Sequence, residues 1–121
     1  MIKRFAQLDI ATSDLADAAS TYEKNFGFTV TAASEAGEAT ISLAGVQLRL
    51  RSGPAVADLI SSMGEGLAAI WLEAEDVDLI SDAFRKAGLA AGPIRNEAGR
   101  RILQIDPKSA NMVPLFIFDR K

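Results

Sequence analysis

The chain alternates between segments of helical and of strand periodicity. Two segments carry a single apolar stripe at a spacing of three to four residues, and each is preceded by an aspartate, has a lysine in its last turn and is followed by a glycine. Such a stripe is typical of an amphipathic helix, and the flanking residues match the preferences of helix ends. The stripes of the two predicted helices are Leu15, Ala18, Tyr22 and Phe26, then Val77, Ile80, Phe84 and Ala87.

The two predicted helices belong to an internal repeat. Asp14 and Asp76 are 62 positions apart, as are Tyr22 and Phe84. In each copy a strand leads into the helix, and three short alternating segments with turn signals follow it. These segments are residues 28–33, 39–43 and 46–51, and about 91–96, 101–105 and 113–118. The sequence therefore predicts an α+β fold built from tandem βαβββ modules.

At 121 residues the chain fits one domain. We divide this domain, 1–121, into module one at about 1–52, a connection at 53–66 and module two at about 67–121. The connection is bounded by glycine and proline and is predicted to hold about one helical turn. A ferredoxin-like fold also duplicates a strand–helix unit, but it has one further strand per helix where this sequence predicts three.

Composition excludes several kinds of partner and chemistry. The net charge is −3, from 13 Lys and Arg against 16 Asp and Glu, with no basic run, so nucleic acid is not expected as a partner. The chain has no Cys, which excludes thiolate chemistry, and no His, the usual general base and commonest metal ligand. We see no signal peptide and no apolar stretch of roughly 18 residues, and expect a cytoplasmic protein without a membrane partner.

The order of these motifs resembles the vicinal oxygen chelate superfamily, which includes glyoxalase I, extradiol dioxygenases and bleomycin-resistance proteins. The resemblance is carried by "DL…Y…GF" in the first copy, "DVD…F…AG" in the second, and the closing "DPKSANMVPLFIFD". It implies a curved, cup-shaped mixed sheet with helices outside. It also implies a small ligand in the cup, often with a divalent metal, and a homodimer.

The metal positions of that superfamily are not kept in this chain. In its enzymes the ligands are His and Glu on the first and fourth strands of each module. The resemblance puts Gln7 and Ala69 at the two His positions, and the two Glu positions near Arg49 and Pro114. Ala and Pro have no ligating side-chain atom, and a guanidinium repels a cation. We therefore expect no metal and no cofactor.

Strand alternation predicts a polar and aromatic face opposite an aliphatic one. The aliphatic face, expected to pack on the helices, comprises Leu8, Ile10, Leu48, Leu50, Ile70, Leu72, Leu115 and Ile117. The other face is the candidate ligand-binding site and comprises Gln7, Asp9, Gln47, Arg49, Trp71, Glu73, Phe116 and Phe118.

Several of these candidates also have a structural interpretation. Gln7 and Asp9 would suit a solvated sheet face. Arg49 would suit an ion-pair cluster with Asp9 and Glu73 and no ligand. Trp71 would suit packing as well as stacking on a planar or cationic ligand.

The sequence thus favours a metal-independent small-molecule-binding protein of the glyoxalase and bleomycin-resistance type, with drug sequestration and antibiotic resistance as its specific form. We assign no catalytic residue, and expect a cationic or planar ligand. The alternative is a glyoxalase- or dioxygenase-like lyase or isomerase with an unusual or absent metal site, which would need Asp9 or Glu73 as a base. A domain that serves only as a dimer or interaction module is the third option.

Overall fold

The computed structural model of the protein describes residues 1–32, 36–110 and 112–121. Its strands are β1 (Ile2–Ala11), β2 (Thr31–Ala32), β3 (Glu38–Leu43), β4 (Val46–Arg51), β5 (Gly66–Ala74), β6 (Arg95–Glu97), β7 (Arg100–Ile105) and β8 (Leu115–Asp119). The helices are α1 (Leu15–Phe26), α2 (Pro54–Met63) and α3 (Val77–Lys86), with a 3₁₀ helix at Pro107–Ala110. The predicted class, α+β with two βαβββ modules, is confirmed.

These elements form two compact units. The first unit is Gln7–Ala68, and the second unit combines Met1–Ala6 with Ala69–Lys121. The organisation as one domain with modules at about 1–52 and 67–121 stays a prediction. No helix within the described ranges is long and apolar enough to cross a membrane.

In the first unit, α1 packs on the aliphatic side of a mixed sheet. β1 runs parallel to β4, and β3 pairs antiparallel with β4 and with β2. Asp14 caps α1 by accepting a hydrogen bond from the Asp17 N–H at 3.0 Å, and Gly27 ends the helix with φ +70°. The predicted aliphatic positions of β1 and β4 cluster with the α1 stripe, which confirms that face as core. They are Leu8, Ile10, Leu48 and Leu50.

The connection forms a longer helix than predicted. α2 has 10 residues, with Pro54 in its first turn, where the missing N–H costs no hydrogen bond. Val56, Leu59 and Ile60 lie at helical spacing and pack with Ala11 and Ala68. One turn would not have brought these three side chains to a common apolar surface, and their burial stabilises the full helix.

In the second unit, α3 packs on the aliphatic side of β5, β7 and β8. β5 runs parallel to β8, and β7 pairs antiparallel with β8 and with β6. Val77 and Ile80 of α3 are buried with Leu103 and Ile117, and Leu72 packs on them. The predicted strand at residues 91–96 is reduced to Arg95–Glu97, with an isolated bridge at Ala91. The one predicted at 28–33 is reduced to Thr31–Ala32 among the described residues, since residue 33 lies outside them.

The end of β8 anchors the start of α3. Buried Asp119 accepts hydrogen bonds from Arg101 Nε at 2.9 Å and Nη2 at 2.6 Å, and from the Val77 N–H at 2.8 Å. The Arg101 hydrogen bonds hold the pKa of the Asp119 carboxyl below its usual range. Arg101 also contacts Asp76, the N-cap of α3, at 3.2 Å. The carboxylate of Asp119 thus ties a strand end, an arginine and a helix N-terminus together.

Candidate ligand-binding site

On the polar face of the first unit, Asp9 and Arg49 form a buried ion pair. They lie directly opposite each other in the parallel pair of β1 and β4. Arg49 donates from Nε to Asp9 Oδ1 at 2.9 Å and from Nη2 to Oδ2 at 2.6 Å, and Gln7 Nε2 donates to Oδ1 at 2.7 Å. Asp9 is 0% exposed. Two guanidinium hydrogen bonds and one amide hydrogen bond fix the position of this carboxylate.

Glu38 and Arg51 extend this pair into a four-member cluster. The Glu38 carboxylate lies 3.7 Å from Arg49 Nη1 and 3.4 Å from Arg51 Nε, and Arg51 Nη1 lies 3.9 Å from Asp9 Oδ2. Two arginines and two carboxylates leave the cluster without net charge. Arg51 Nε is buried and has no hydrogen-bond partner among the described residues. The arrangement agrees with the structural ion-pair interpretation for Arg49 and Asp9, whereas Glu73, its third predicted member, pairs with Arg4 and Arg120.

The residues at the superfamily's metal positions do not fit a divalent cation. The register places Gln47 directly opposite Gln7, two residues before Arg49. In the second unit, the side chain of Ala69 has no atom that could ligate a metal. The side chain of Pro114 has none either, and its carbonyl oxygen accepts the Ile70 N–H at 2.9 Å. Within the described part of the chain, no three His, Cys, Asp or Glu side chains converge as a metal site would require. The donor set is therefore not that of a metal centre.

On the polar face of the second unit, three aromatic rings form a packed cluster. Trp71 lies opposite Phe116 in register, and their rings stack with centroids 4.4 Å apart and planes 14° apart. Phe118 meets Trp71 edge-on at 6.3 Å. Trp71 is 5% exposed and Phe118 is 1% exposed, and both pack with Ala6, Ala69 and Ile102. The rings are thus mainly part of a core, which agrees with the packing interpretation of Trp71.

Three arginines lie over these rings. Arg100 sits over Trp71 at 4.9 Å and over Phe118 at 5.0 Å from each centroid, Arg120 lies over Phe118 at 5.4 Å, and Arg95 over Phe116 at 5.9 Å. All are within the range of cation–π attraction. We call these three arginines with Trp71, Phe116 and Phe118 the arginine–aromatic face.

Sequence reasoning missed the three arginines. Alternation contains a signal for two of them, because Arg100 lies two residues before inward-facing Ile102 and Arg120 lies two residues after Phe118. Arg95 lies on a strand of only three residues, opposite Ile102. This pairing depends on the register of the two strands, which local sequence periodicity does not predict.

Glu73 is paired with arginines of its own unit. Its carboxylate accepts a hydrogen bond from Arg4 Nε at 2.8 Å and lies 3.5 Å from Arg120 Nε. The hydrogen bond from Arg4 holds the pKa of the Glu73 carboxyl below its usual range. A carboxylate stabilised in its ionised form is a poor proton acceptor near neutral pH.

Charge is distributed unequally between the units. The first unit has 3 Lys and Arg against 8 Asp and Glu, a net charge of −5. The second has 10 against 8, a net charge of +2, and together they give the −3 of the whole chain. The acidity of the protein therefore belongs to the first unit, and the arginine–aromatic face belongs to the cationic one.

A groove elsewhere in the second unit has fewer charged and aromatic side chains than the arginine–aromatic face. It has a volume of about 420 Å³ and lies between the end of α3 and residues 89–94. Phe84 and Ile94 contribute apolar walls, and the charged lining residue Arg85 is paired with Asp82 at 3.0 Å. We therefore place the candidate site at the arginine–aromatic face.

Comparison with known proteins identifies the family. Residues 4–111 match the model of the Glyoxalase/Bleomycin resistance protein/Dioxygenase superfamily. No curated protein matches the chain. Similar solved structures include methylmalonyl-CoA epimerases. One from Streptomyces coelicolor, in complex with 2-nitronate-propionyl-CoA, is 23% identical, with a TM-score of 0.77 over 98% of this chain and 95% of that one.

A methylmalonyl-CoA epimerase in complex with methylmalonyl-CoA and an ammonium ion is 25% identical, with a TM-score of 0.76 over 98% of this chain and 95% of that one. A hypothetical protein from Bacillus halodurans is 16% identical, with a TM-score of 0.80 over 98% and 94%. These likenesses agree with the observed fold, and the match to the family model spans most of the sequence. The chain therefore belongs to the Glyoxalase/Bleomycin resistance protein/Dioxygenase superfamily, as its repeat of vicinal oxygen chelate type indicates.

Proposed function

We propose that the protein binds a small planar molecule at the arginine–aromatic face without a metal ion. The observation that supports this most directly is the seating of three arginines on one aromatic cluster. Packing alone does not require cations on the rings, since the opposite side of the strands already buries an aliphatic core with α3. Phe116 is the partly exposed ring of the cluster, and flat apolar surface beside hydrogen-bond donors is the usual composition of a small-molecule site.

Binding without chemistry suits the titratable groups of the chain. A general base near neutral pH needs a raised carboxyl pKa or an imidazole. Glu73 has a lowered pKa, Asp9 is held by Arg49, and the sequence has no His. Sequestration of a drug, as in the bleomycin-resistance group, is one form of such binding and stays a prediction, as does a cytoplasmic location.

Trp71 provides a direct test because it is the one tryptophan of the sequence. Protein dialysed against EDTA is titrated with benzoate, benzamide, benzamidine and bleomycin while tryptophan emission and melting temperature are followed. We expect at least one planar probe to produce a saturable change in emission, with the same affinity after Zn²⁺ or Ni²⁺ is added. Emission unchanged by every probe would overturn the proposal, as would binding that requires the metal.

Phe26→Leu is the matched control for Trp71→Phe. Phe26 is an exposed aromatic residue of the first unit, stacked with Phe28 at 5.4 Å, so its replacement also removes ring contacts. We expect Trp71→Phe to weaken the thermal shift given by the bound probe and Phe26→Leu to leave it unchanged. Equal effects would mean that the probe does not use the arginine–aromatic face.

An isomerase-like role is the second candidate. It is favoured by the epimerase complexed with methylmalonyl-CoA, 25% identical over 98% of this chain. The chain would be incubated with methylmalonyl-CoA in deuterium oxide, with and without divalent metals, and exchange at the carbon between the two carbonyls followed by NMR. We expect exchange at the rate of buffer alone, because neither Glu73 nor Asp9 suits proton abstraction. Catalysed exchange would replace simple binding with isomerisation.

A further inference from the structure

We propose that Gln104 is a specificity-determining residue beside the arginine–aromatic face, and that the ligand is a flat molecule with a carbonyl group as hydrogen-bond acceptor. This inference rests on the proposed function, because it names the class of ligand that the same face would take. It keeps the planar shape expected from the sequence and adds the polar group that selects among planar ligands.

The register of the strands places Gln104 beside the ring that a ligand can reach. Phe116 of β8 has Trp71 opposite it on β5 and Gln104 opposite it on β7. Because β8 lies between β5 and β7, these two residues flank Phe116 on opposite sides. Trp71 is 5% exposed, whereas Phe116 is partly exposed and Gln104 is exposed. Directly opposite residues have Cβ atoms about 4.5–5.5 Å apart, so a flat ligand at Phe116 lies next to Gln104.

Arg95 determines which end of the Gln104 amide faces a ligand. Arg95 Nη1 donates a hydrogen bond to Gln104 Oε1 at 3.3 Å. A guanidinium has only donors, so the amide must turn its oxygen towards Arg95 and its two N–H donors away from it. A carbonyl oxygen on a ligand accepts a hydrogen bond from such donors, whereas a group that only donates does not.

Two further contacts hold Arg95 in this orientation. Its Nε donates to Glu97 Oε2 at 3.4 Å, and its guanidinium carbon lies 5.9 Å from the centroid of the Phe116 ring. A carboxylate, an aromatic ring and an amide oxygen thus contact one guanidinium. An amide whose oxygen is already bound loses less side-chain entropy when its N–H group binds a ligand. The donors of Gln104 are therefore partly preorganised for an acceptor.

Four probes that share a benzene ring separate acceptors from donors. Acetophenone only accepts, benzamide accepts and donates, aniline donates without a carbonyl group, and benzamidine donates and is cationic. Calorimetric titration should show acetophenone and benzamide binding at least roughly fivefold more tightly than aniline and benzamidine, about 1 kcal/mol. This difference corresponds to the net contribution of one hydrogen bond.

Two substitutions separate recognition by Gln104 from support of Arg95. Gln104→Glu keeps an oxygen for Arg95 but replaces the N–H donors with a second acceptor. The preference for carbonyl probes should then be lost, and benzamidine should bind at least roughly fivefold more tightly than to the wild type. Gln104→Met has a similar length without either polar group and should bring acetophenone and aniline within about twofold of each other. Gln47→Met, on β4 of the first unit, is the matched control and should keep the preference.

The outcomes separate this inference from the proposed function. Binding of aniline or benzamidine to the wild type as tight as that of acetophenone would overturn the inference and leave small-molecule binding intact. Retention of the carbonyl preference in either Gln104 variant would reduce this residue to a support for Arg95 and also overturn the inference. Absence of binding by every probe up to about 10 mM, the weak limit for small ligands, would overturn both.

Discussion

Removal of the Arg49 side chain tests the conclusion that the polar cluster of the first unit is structural. In Arg49→Ala, Asp9 loses both guanidinium hydrogen bonds, at 2.9 and 2.6 Å, while it stays 0% exposed in an unchanged fold. Removing one partner of a buried ion pair costs about 3–5 kcal/mol. Gln7 at 2.7 Å and Arg51 at 3.9 Å remain near the carboxylate, so we expect the lower end, about 3 kcal/mol.

This loss converts into a measurable melting temperature. At about 2.1 cal/mol/K per residue, unfolding of 121 residues has an entropy near 0.25 kcal/mol/K, so 3 kcal/mol lowers the midpoint by roughly 12 °C. Circular dichroism melts and urea titrations of the wild type and Arg49→Ala would measure it. Arg85→Ala breaks an ion pair that is mostly exposed and should cost less than about 0.5 kcal/mol.

Two results would refute the structural assignment of Arg49. One is a stability loss no larger than that of Arg85→Ala. The other is near-native stability combined with at least roughly tenfold weaker binding of benzoate, which would make Arg49 a ligand contact. The double variant Asp9→Asn with Arg49→Ala provides a further check, since removal of both charges should recover part of the loss.

Three further outcomes are expected. Dialysed protein should contain no stoichiometric Ni, Zn, Fe or Mn by elemental analysis and show no thermal shift with these ions. One equivalent of tightly bound metal would contradict the conclusion that the residues at the metal positions cannot ligate a divalent cation. We also propose a two-fold homodimer at micromolar concentration that buries more than roughly 1,000 Å², which sedimentation would reject by finding a monomer throughout. Finally, Asp119→Asn should cost about 2 kcal/mol at pH 7, because the lowered pKa of Asp119 means that folding favours the ionised carboxyl. Its stabilisation is lost as pH falls below about 4, so the melting difference from the wild type should shrink there, and a constant difference across pH would contradict the assignment.

The repeat made most of the fold predictable. Both helices begin at the predicted aspartates, Asp14 and Asp76, because cap preference and apolar stripe agree at those positions. The aliphatic sides of β1, β4, β5 and β8 were predictable for the same reason, since alternation and burial coincide there. The length of α2 was not, because Val56, Leu59 and Ile60 form one apolar surface only through their packing with Ala11 and Ala68.

The site was less predictable than the fold because it depends on register. Alternation placed Asp9 and Arg49 on one face, and the parallel pairing of β1 with β4 then made them direct neighbours. The same reasoning grouped Glu73 with Arg49, yet Glu73 finds Arg4 and Arg120, which lie outside any pattern the repeat provides. Contacts between long side chains of distant segments, such as Arg100 with Trp71, have no signature in local periodicity.

The two modules use one pair of strand positions for different purposes. Asp9 and Trp71 are 62 residues apart and so are repeat partners, and the residues opposite them in register are Arg49 and Phe116. The first module has an ion pair at this position, in which the charges of Asp9 and Arg49 compensate each other. The second fills it with a stacked aromatic pair, and the Arg100 guanidinium lies over the Trp71 ring at 4.9 Å from its centroid. Divergence at a single cross-strand pair thus accounts for a stabilising cluster in one half of the chain and a candidate binding face in the other.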